Sequence, residues 1–382
     1  SRPPQNQLSP AHVRQLGGDP IVLSVSQLER YAACPFLHFS ERFLALRDRP
    51  VWAPQATETG VLLHAVLELA LRRLCQDLRR LDAADPAVRD AFWQSWLTGN
   101  LEGPVGAWMA AAAEEDGLTR FFDDGLRASI GRRVVRVAIS TLKAVIRQYR
   151  QETFLPAQLE WAFGPQNQPL LLPVRGAGPV CLRGTIDRTD RESPAGSPGR
   201  TGEITGGGFR VIDYKSGGKK VDYDDLYLGL ALQMPVYLAA YRQAYPECRP
   251  VDAAYAPVNR PVLTWKTGDI PSEDVIQKRL DREQGLRGLQ MGSEDLERVC
   301  RYSLTQAAVL AERLLAGFFP AEPVKRSGRR PPCDFCIYQA VCGFNADTGA
   351  YRRLQPLRCR LKPDGRTASK KEEFILRLHE MQ

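Results

Sequence analysis

From Ser24 the chain reads SVSQLERYAACPFLHFSERFLAL, with apolar residues recurring every three or four positions among polar ones. That period predicts a helix with Ser24 or Ser26 as its N-cap. Pro50 and Pro54 punctuate it, and a second helix, rich in Leu and Ala, is expected from about Thr59 to Arg80. Residues 82–150 carry more helical pattern, broken by GNLEGPVG around Gly103, and few strand signals. After Pro156 the texture changes. AQLEWAFG, LLLPVR, VCLRGTIDR and GFRVIDYKSG are short strand-like runs separated by turn residues. Between the last two lies SPAGSPGRTGEITGGG, whose Gly, Pro, Ser and Thr predict a mobile loop at a hairpin tip. DDLYLGLALQMPVYLAAYRQAY then reads as one long buried helix in spite of Pro235, VDAAYAPV as a strand, and about 303–317 as another helix. Helix, three strands, helix, strand is an α/β order with a mixed sheet flanked by helices. A helical insertion is expected over about 72–150, a linker over 1–20 and a basic C-terminal tail over 361–382.

Composition changes this picture little. The 382 residues suffice for a large core, and 43% apolar with 25% charged residues is ordinary for a soluble globular protein. Lys plus Arg (52) against Asp plus Glu (44) leaves a net charge of +8, which suits a polyanionic partner without requiring one. No unbroken apolar window of about 18 residues predicts a membrane span. The opening SRPPQNQLSP has neither Met nor a hydrophobic signal region and reads as the start of a piece cut from a longer chain. Nine cysteines in a chain this long are no disulfide scaffold; their clustering predicts metal binding in a reducing compartment, the cytoplasm.

The cluster is PPCDFCIYQAVCGF, with Cys333, Cys336 and Cys342. Three thiolates at that spacing can wrap a metal centre but fall one short of a closed site, and four thiolates suit zinc as well as an iron–sulfur cluster. Cys75, Cys181 and Cys248 sit within helix or strand patterns and read as buried spectators.

A second candidate site lies at the predicted strand ends. Asp187 stands in GTIDR, and Asp213 and Lys215 in VIDYKSG. Alternation puts Asp213 and Lys215 on one face and Tyr214 on the other, and pairing of the two strands would bring Asp187 beside Asp213. Two carboxylates at one spot suit a hard divalent ion, and a lysine beside it can orient a bound water and offset charge in a phosphoryl transition state. His64, four residues after Gly60 on one helix face, would complete a site that accepts Mn²⁺ as well as Mg²⁺. Glu160 on the preceding strand can be a metal ligand, a group hydrogen-bonded to one, or an edge-strand charge. Gln233 and Tyr237 share a helix face, and a Tyr there can stack on a base. Plain alternatives exist for each: a solvated Asp-x-Lys turn, a surface Asp187–Arg188 ion pair, a core histidine, and an amphipathic helix with a buried Tyr.

Together the set Gly60-x3-His64, Gly184-Thr185-Ile186-Asp187-Arg188, Asp213-Tyr214-Lys215 and Gln233-x3-Tyr237 resembles the PD-(D/E)XK nuclease superfamily in its RecB-like branch. CPF at Cys34 with PCDFC-x5-C near the end further resembles the iron–sulfur nuclease domains of AddB-type subunits of bacterial helicase–nucleases, over roughly residues 21–358. The resemblance implies a metal-dependent DNase in which His64, Asp187, Asp213 and the Tyr214 carbonyl hold Mg²⁺ or Mn²⁺. Lys215 would position the attacking water, and Gln233 and Tyr237 would contact DNA or the lysine's surroundings. It implies Cys34 as fourth ligand of a [4Fe–4S] cluster, with Cys300 and Cys359 as rivals, and a staple of 331–345 onto Cys34 that needs no redox role. The implied partners are DNA, fed as a single strand from a duplex end, and an AddA-like motor subunit. The implied task is resection of double-strand breaks on the 5′-ended strand. Alternatives within the branch are a stand-alone or CRISPR-associated iron–sulfur nuclease; outside it stands a catalytically silent DNA-binding module. SGGKK at 216–220 does not fit a GxxxxGK[ST] phosphate loop, which excludes the ATP motor from this stretch. Lys325, Arg326, Arg329, Arg330, Arg352, Arg353, Arg358 and Arg360 flank the cysteines and are candidates to track a DNA backbone.

Overall fold

The computed structural model describes residues 7–17, 21–47, 56–80, 85–115, 118, 125–192, 207–215, 220–257, 286–326, 328–345, 351–362 and 366–381. The expected loop tip at 193–206 lies outside the described residues.

After a helix α1 (Pro10–Gly17) and a short strand β1 (Val22–Ser24), Ser24 caps α2 (Val25–Ala33). Its hydroxyl accepts the Gln27 N–H at 3.2 Å while Gln27 Oε1 accepts the Ser24 N–H at 2.9 Å, a capping box. The helix does not run on as the period predicts. It stops at Cys34, because the residue before a proline is pushed out of the α region, and α3 (Pro35–Arg42) restarts with Pro35 in its first turn. Four helices follow: α4 (Ala56–Arg80), α5 (Pro86–Thr98), α6 (Glu102–Glu115) and α7 (Gly125–Gln151).

The strands β2 (Phe154–Phe163), β3 (Leu170–Val174), β4 (Gly178–Glu192) and β5 (Gly208–Lys215) come next. The single helix expected over 224–245 is two, α8 (Tyr223–Tyr227) and α9 (Gln233–Ala244). Gly229 between them adopts a left-handed φ of +67° that ends α8, and restarting at Gln233 places Pro235 in a first turn, where no N–H is needed. β6 (Arg249–Pro257), β7 (Arg287–Gly288) and the long α10 (Ser293–Leu315) complete the core. A small β8 (Val324–Lys325), a 3₁₀ turn at Pro332–Phe335, α11 (Gln339–Cys342), β9 (Arg352–Arg353) and α12 (Lys370–Glu380) follow.

The sheet is mixed. β4 is its hub, antiparallel to β2, β3 and β5 and parallel to β1, while β5 runs parallel to β6. Each face is covered. One core joins α2, α9 and α10 to Phe209 and Val211 of β5; the other joins α4–α7 to Ile212 and Tyr214 of the same strand. In β2 and β4 the alternation reverses midway. Leu159 packs with the α4–α7 side and Trp161, two residues on, with the opposite core. The ladder pairs Leu159 with Arg188 and Trp161 with Ile186 and passes over Glu160 and Asp187 between them, and Glu160 has a φ of +48°. A non-glycine residue in that region costs about 1 kcal/mol or more, and the irregularity turns the strand as a bulge does.

Two segments expected to be a linker and a tail pack onto the core. Val13 of α1 is buried, and the Leu8 N–H donates to the Gly317 carbonyl at 2.9 Å. α12 buries Phe374 and Leu378, and its Ser369–Glu372 capping box fixes its start. The chain's early and late parts also meet in an aromatic group. Phe319 lies 5.1 Å from Phe39, 5.3 Å from Phe43 and 6.1 Å from Tyr31 between ring centroids, and Tyr31 donates to the Phe318 carbonyl at 2.6 Å.

Behind the sheet, Arg188 is fully buried, not part of a surface pair. Its Nε faces Asp190 Oδ1 at 3.1 Å, its Nη1 donates to Tyr214 Oη at 2.9 Å, and its guanidinium lies over the Tyr149 ring at 5.3 Å. Tyr149 of α7 donates to the same Asp190 oxygen at 2.8 Å, and Arg210 Nε donates to the other at 2.9 Å. Replacing Arg188 with Met leaves Asp190 less compensated in the core and is expected to cost about 3–5 kcal/mol, read from urea midpoints. Arg150→Ala, which breaks an exposed pair with Asp90, is expected to cost about 1 kcal/mol or less in the same assay.

Candidate active site and thiol centre

Extending the β4–β5 register, in which Arg188 faces Ile212, sets Asp187 opposite Asp213. Asp187 is therefore in the body of the long strand β4 instead of at its end, while Asp213 and Lys215 do close β5. The Tyr214 N–H donates to Asp187 Oδ2 at 2.7 Å, and His64 Nδ1 of α4 lies 3.5 Å from the same oxygen. Glu160 completes the group: ligand atoms of His64, Glu160 and Asp187 all lie within 4.8 Å of one another. Lys215 Nζ is 2.5 Å from Asp213 Oδ2, as same-face alternation predicts. Tyr214 points to the opposite side, onto Arg188.

Asp213 is 2% exposed and is held from the other core. Gln233 Nε2 donates to its Oδ1 at 2.9 Å and to Tyr237 Oη at 3.3 Å, so Gln233 and Tyr237 share a face of α9 and the amide links the tyrosine to the carboxylate. Sequence reasoning missed Glu29. Its Oε1 accepts the Leu232 and Gln233 N–H groups at 2.7 and 2.8 Å, capping α9 where Gln233 begins. It lies 203 residues from Leu232 and carries no local signal.

Burial makes these acids hard to ionise. It pushes Asp187 up to about 8, with the Asp213 carboxylate adding to the effect, and Glu160 up to about 7, with Glu68 one turn beyond His64 adding. Burial lowers His64, which favours the neutral imidazole that a metal needs. An imidazole with carboxylate oxygens is a donor set for a hard or borderline dication, whose charge would reverse the carboxylate shifts.

Cys34, Cys333, Cys336 and Cys342 line one cavity of about 370 Å³; Cys300 and Cys359 do not. Cys34 lies between α2 and α3 at the start of α3, without a side-chain cap bond, and Cys342 Sγ accepts the Phe344 N–H at 3.4 Å. Burial raises the Cys34 thiol, and it pushes Cys333 up to about 11 with the neighbouring thiols adding. Among the described residues, His64–Glu160–Asp187 is the only group whose ligand atoms gather within 4.8 Å. The four sulfurs are thus spread wider than around one zinc, where Zn–S bonds of about 2.3 Å set thiolates roughly 3.8 Å apart. The flanking basic residues are mostly engaged within the chain. Arg326 and Arg329 pair with Asp222 and Asp225, Arg330 with Asp334, and Arg360 with Glu373 and Glu380.

The PD-(D/E)XK nuclease superfamily matches residues 22–343, a span that contains every acidic and thiol site residue above. Curated relatives are similar over most of the chain. The B subunit of the ATP-dependent helicase/deoxyribonuclease of Desulforudis audaxviator is 29% identical over 92% of this chain and 32% of its own length. Its counterparts from Moorella thermoacetica and Symbiobacterium thermophilum are each 28% identical, over 91% and 90% of this chain and 32% and 31% of their own lengths. This chain spans about a third of the length of these relatives. By the extent of the family match and the site it encloses, the chain belongs to the PD-(D/E)XK nuclease superfamily.

Proposed function

We propose that this chain is the nuclease domain of an AddB-type subunit, a divalent-metal-dependent DNase within a bacterial cytoplasmic helicase–nuclease that resects double-strand breaks. The convergence of His64, Asp187 and Glu160 beside the Asp213–Lys215 pair carries this reading. The relatives are named as the B subunit of an ATP-dependent helicase/deoxyribonuclease, which supports the assembly and an AddA-like motor partner. No described helix is long and apolar enough to cross a membrane.

His64, Asp187, Asp213 and the Tyr214 carbonyl would hold Mg²⁺ or Mn²⁺, with Glu160 in the same group. A bound dication supplies Lewis-acid polarisation of the phosphoryl group and a more acidic water. Lys215, beside Asp213, orients that water and offsets charge accumulating on the phosphoryl oxygens. Gln233, with Tyr237 behind it, keeps the Asp213 oxygen aimed. Water oxygen bonds to phosphorus as the bond to the leaving sugar oxygen breaks in line, and that oxygen gains a proton. The 5′-ended strand is assigned by the family resemblance alone.

We assign the thiol cavity to a [4Fe–4S] cluster. The spread of the four sulfurs supports it over a single zinc. Tyr338 Oη, donating to the Leu46 carbonyl at 2.9 Å, helps hold the thiol segment against the start of the chain.

Purified without air, the protein is expected to absorb near about 400 nm. Cys34→Ser should lose that band, whereas a colourless protein carrying one zinc would overturn the assignment. With Mg²⁺ or Mn²⁺ it should cut end-labelled single-stranded DNA, and Asp213→Ala should cut at least about 100-fold more slowly. Failure of the intact-cluster protein to cut, alone and with its motor subunit, would sink the nuclease reading.

The raised acids also set a pH dependence. Asp187 and Glu160 are protonated more readily folded than unfolded, so the metal-free site favours the fold at low pH. That contribution is lost as pH rises from about 4 through about 7 to 8. A metal needs the ionised forms, so its binding releases protons. The melting-temperature gain on adding Mn²⁺ should therefore be larger at pH 8.5 than at pH 6 and shrink in Asp187→Asn; equal gains at both pH values would contradict this.

A further inference from the structure

Beyond His64, α4 continues along β2. Arg72, Cys75, Gln76 and Arg79 fall at i, i+3, i+4 and i+7, one helix face, and form one wall of a cleft of about 750 Å³. The other wall is β2 from Ala157 to Ala162, and the β2–β3 turn, Gln166 to Gln168, contributes a third side. That turn is fixed: Gly164 N–H donates to the Asn167 carbonyl at 2.6 Å, and the reciprocal bond is 3.1 Å. Glu160 belongs both to this cleft and to the group with His64 and Asp187, so the cleft leads into the reaction centre.

The lining has a consistent chemistry. Two guanidiniums and five side-chain amides face a space in which Glu160 is the only carboxylate among the described lining residues. Arg72 is braced by Glu68, which accepts from its Nε at 2.8 Å. Gln158 donates its amide N–H to Tyr245 Oη at 2.5 Å, while its buried Oε1 has no hydrogen-bond partner among the described residues. Guanidiniums match phosphate geometry, and amides carry both donors and acceptors for the exposed edges of unstacked bases.

We propose that this cleft binds the single strand on one side of the scissile phosphate, with Arg72 and Arg79 on its phosphates and the amides, Gln158 among them, on its bases. The inference rests on the nuclease reading for the identity of the polyanion. It implies that affinity for the strand is built along α4 and β2, outside the acidic centre itself.

The test uses the whole chain carrying Asp213→Ala, so that the probe is not cut, and a short fluorescein-labelled oligothymidylate read by anisotropy. Adding Arg72→Ala/Arg79→Ala should raise Kd at least about 10-fold. It should also flatten the slope of log Kd against log salt by about 1.4, the value for two single-strand phosphates. Arg72→Lys/Arg79→Lys should keep that slope. Ala162→Trp, an uncharged change at an exposed cleft position, should raise Kd by filling the space. Variants are compared only where the melting temperature matches the parent. Unchanged Kd and slope in the double variant would overturn the proposal, as would an unaffected Ala162→Trp or a duplex competing as well as the single strand. A chain that binds through Arg72 and Arg79 yet cuts nothing would sink the nuclease reading and leave the cleft. A chain that cuts, while the double variant binds like the parent, would sink the cleft alone.

Discussion

A guanidinium with no access to water needs a counter-charge and an acceptor close by, and Arg188 draws on three elements at once for them, although its Nε and Nη2 make no hydrogen bond among the described residues. Asp190 meets its charge, the Tyr214 hydroxyl accepts one of its N–H groups, and the Tyr149 and Tyr214 rings cover its plane. The last helix of the α4–α7 group, the hub strand and its neighbour β5 are thereby locked in one register. Asp187 precedes Arg188, and Asp213 and Lys215 flank Tyr214, so the lock also sets the spacing of the candidate site's side chains. The buried pair has little claim to add net stability over an apolar substitute; its consequence here is specificity of register.

The second constraint is the crowding of acids on the other side. Burial makes Asp187 and Glu160 resist ionisation, the Asp213 carboxylate adds to the effect on both, and Lys215 stands against Asp213. The left-handed Glu160 belongs to this balance. A regular strand would have sent Leu159 and Trp161 to the same face; the irregularity splits them between two cores and leaves Glu160 and Asp187 at the crossing point.

Much of the site was legible because its logic is local. Asp213-x-Lys215 follows from strand alternation, Gln233-x3-Tyr237 from helix period, and Asp187 beside Asp213 from pairing of two adjacent runs. What escaped depends on contacts distant in sequence or on single backbone angles. Nothing near Glu29 says that it caps α9. One glycine conformation divides the helix expected over 224–245. The charged surroundings of Phe374 and Leu378 hid a docking face, because a count of charges reads as solvation. The basic run near the cysteines reads as available for the same reason, whereas Asp222 and Asp225 meet Arg326 and Arg329.

The aromatic group around Phe319 brings the two ends of the fold together through side chains that are not thiols. With the proposed cluster bound, closure of the domain would therefore be redundant. A descendant that lost one cysteine would keep a partial clasp, and selection on the remaining three would relax. The proposed cluster would in that sense be an evolutionarily detachable part, one that a lineage living with abundant oxygen could shed without first having to rebuild the rest of the domain.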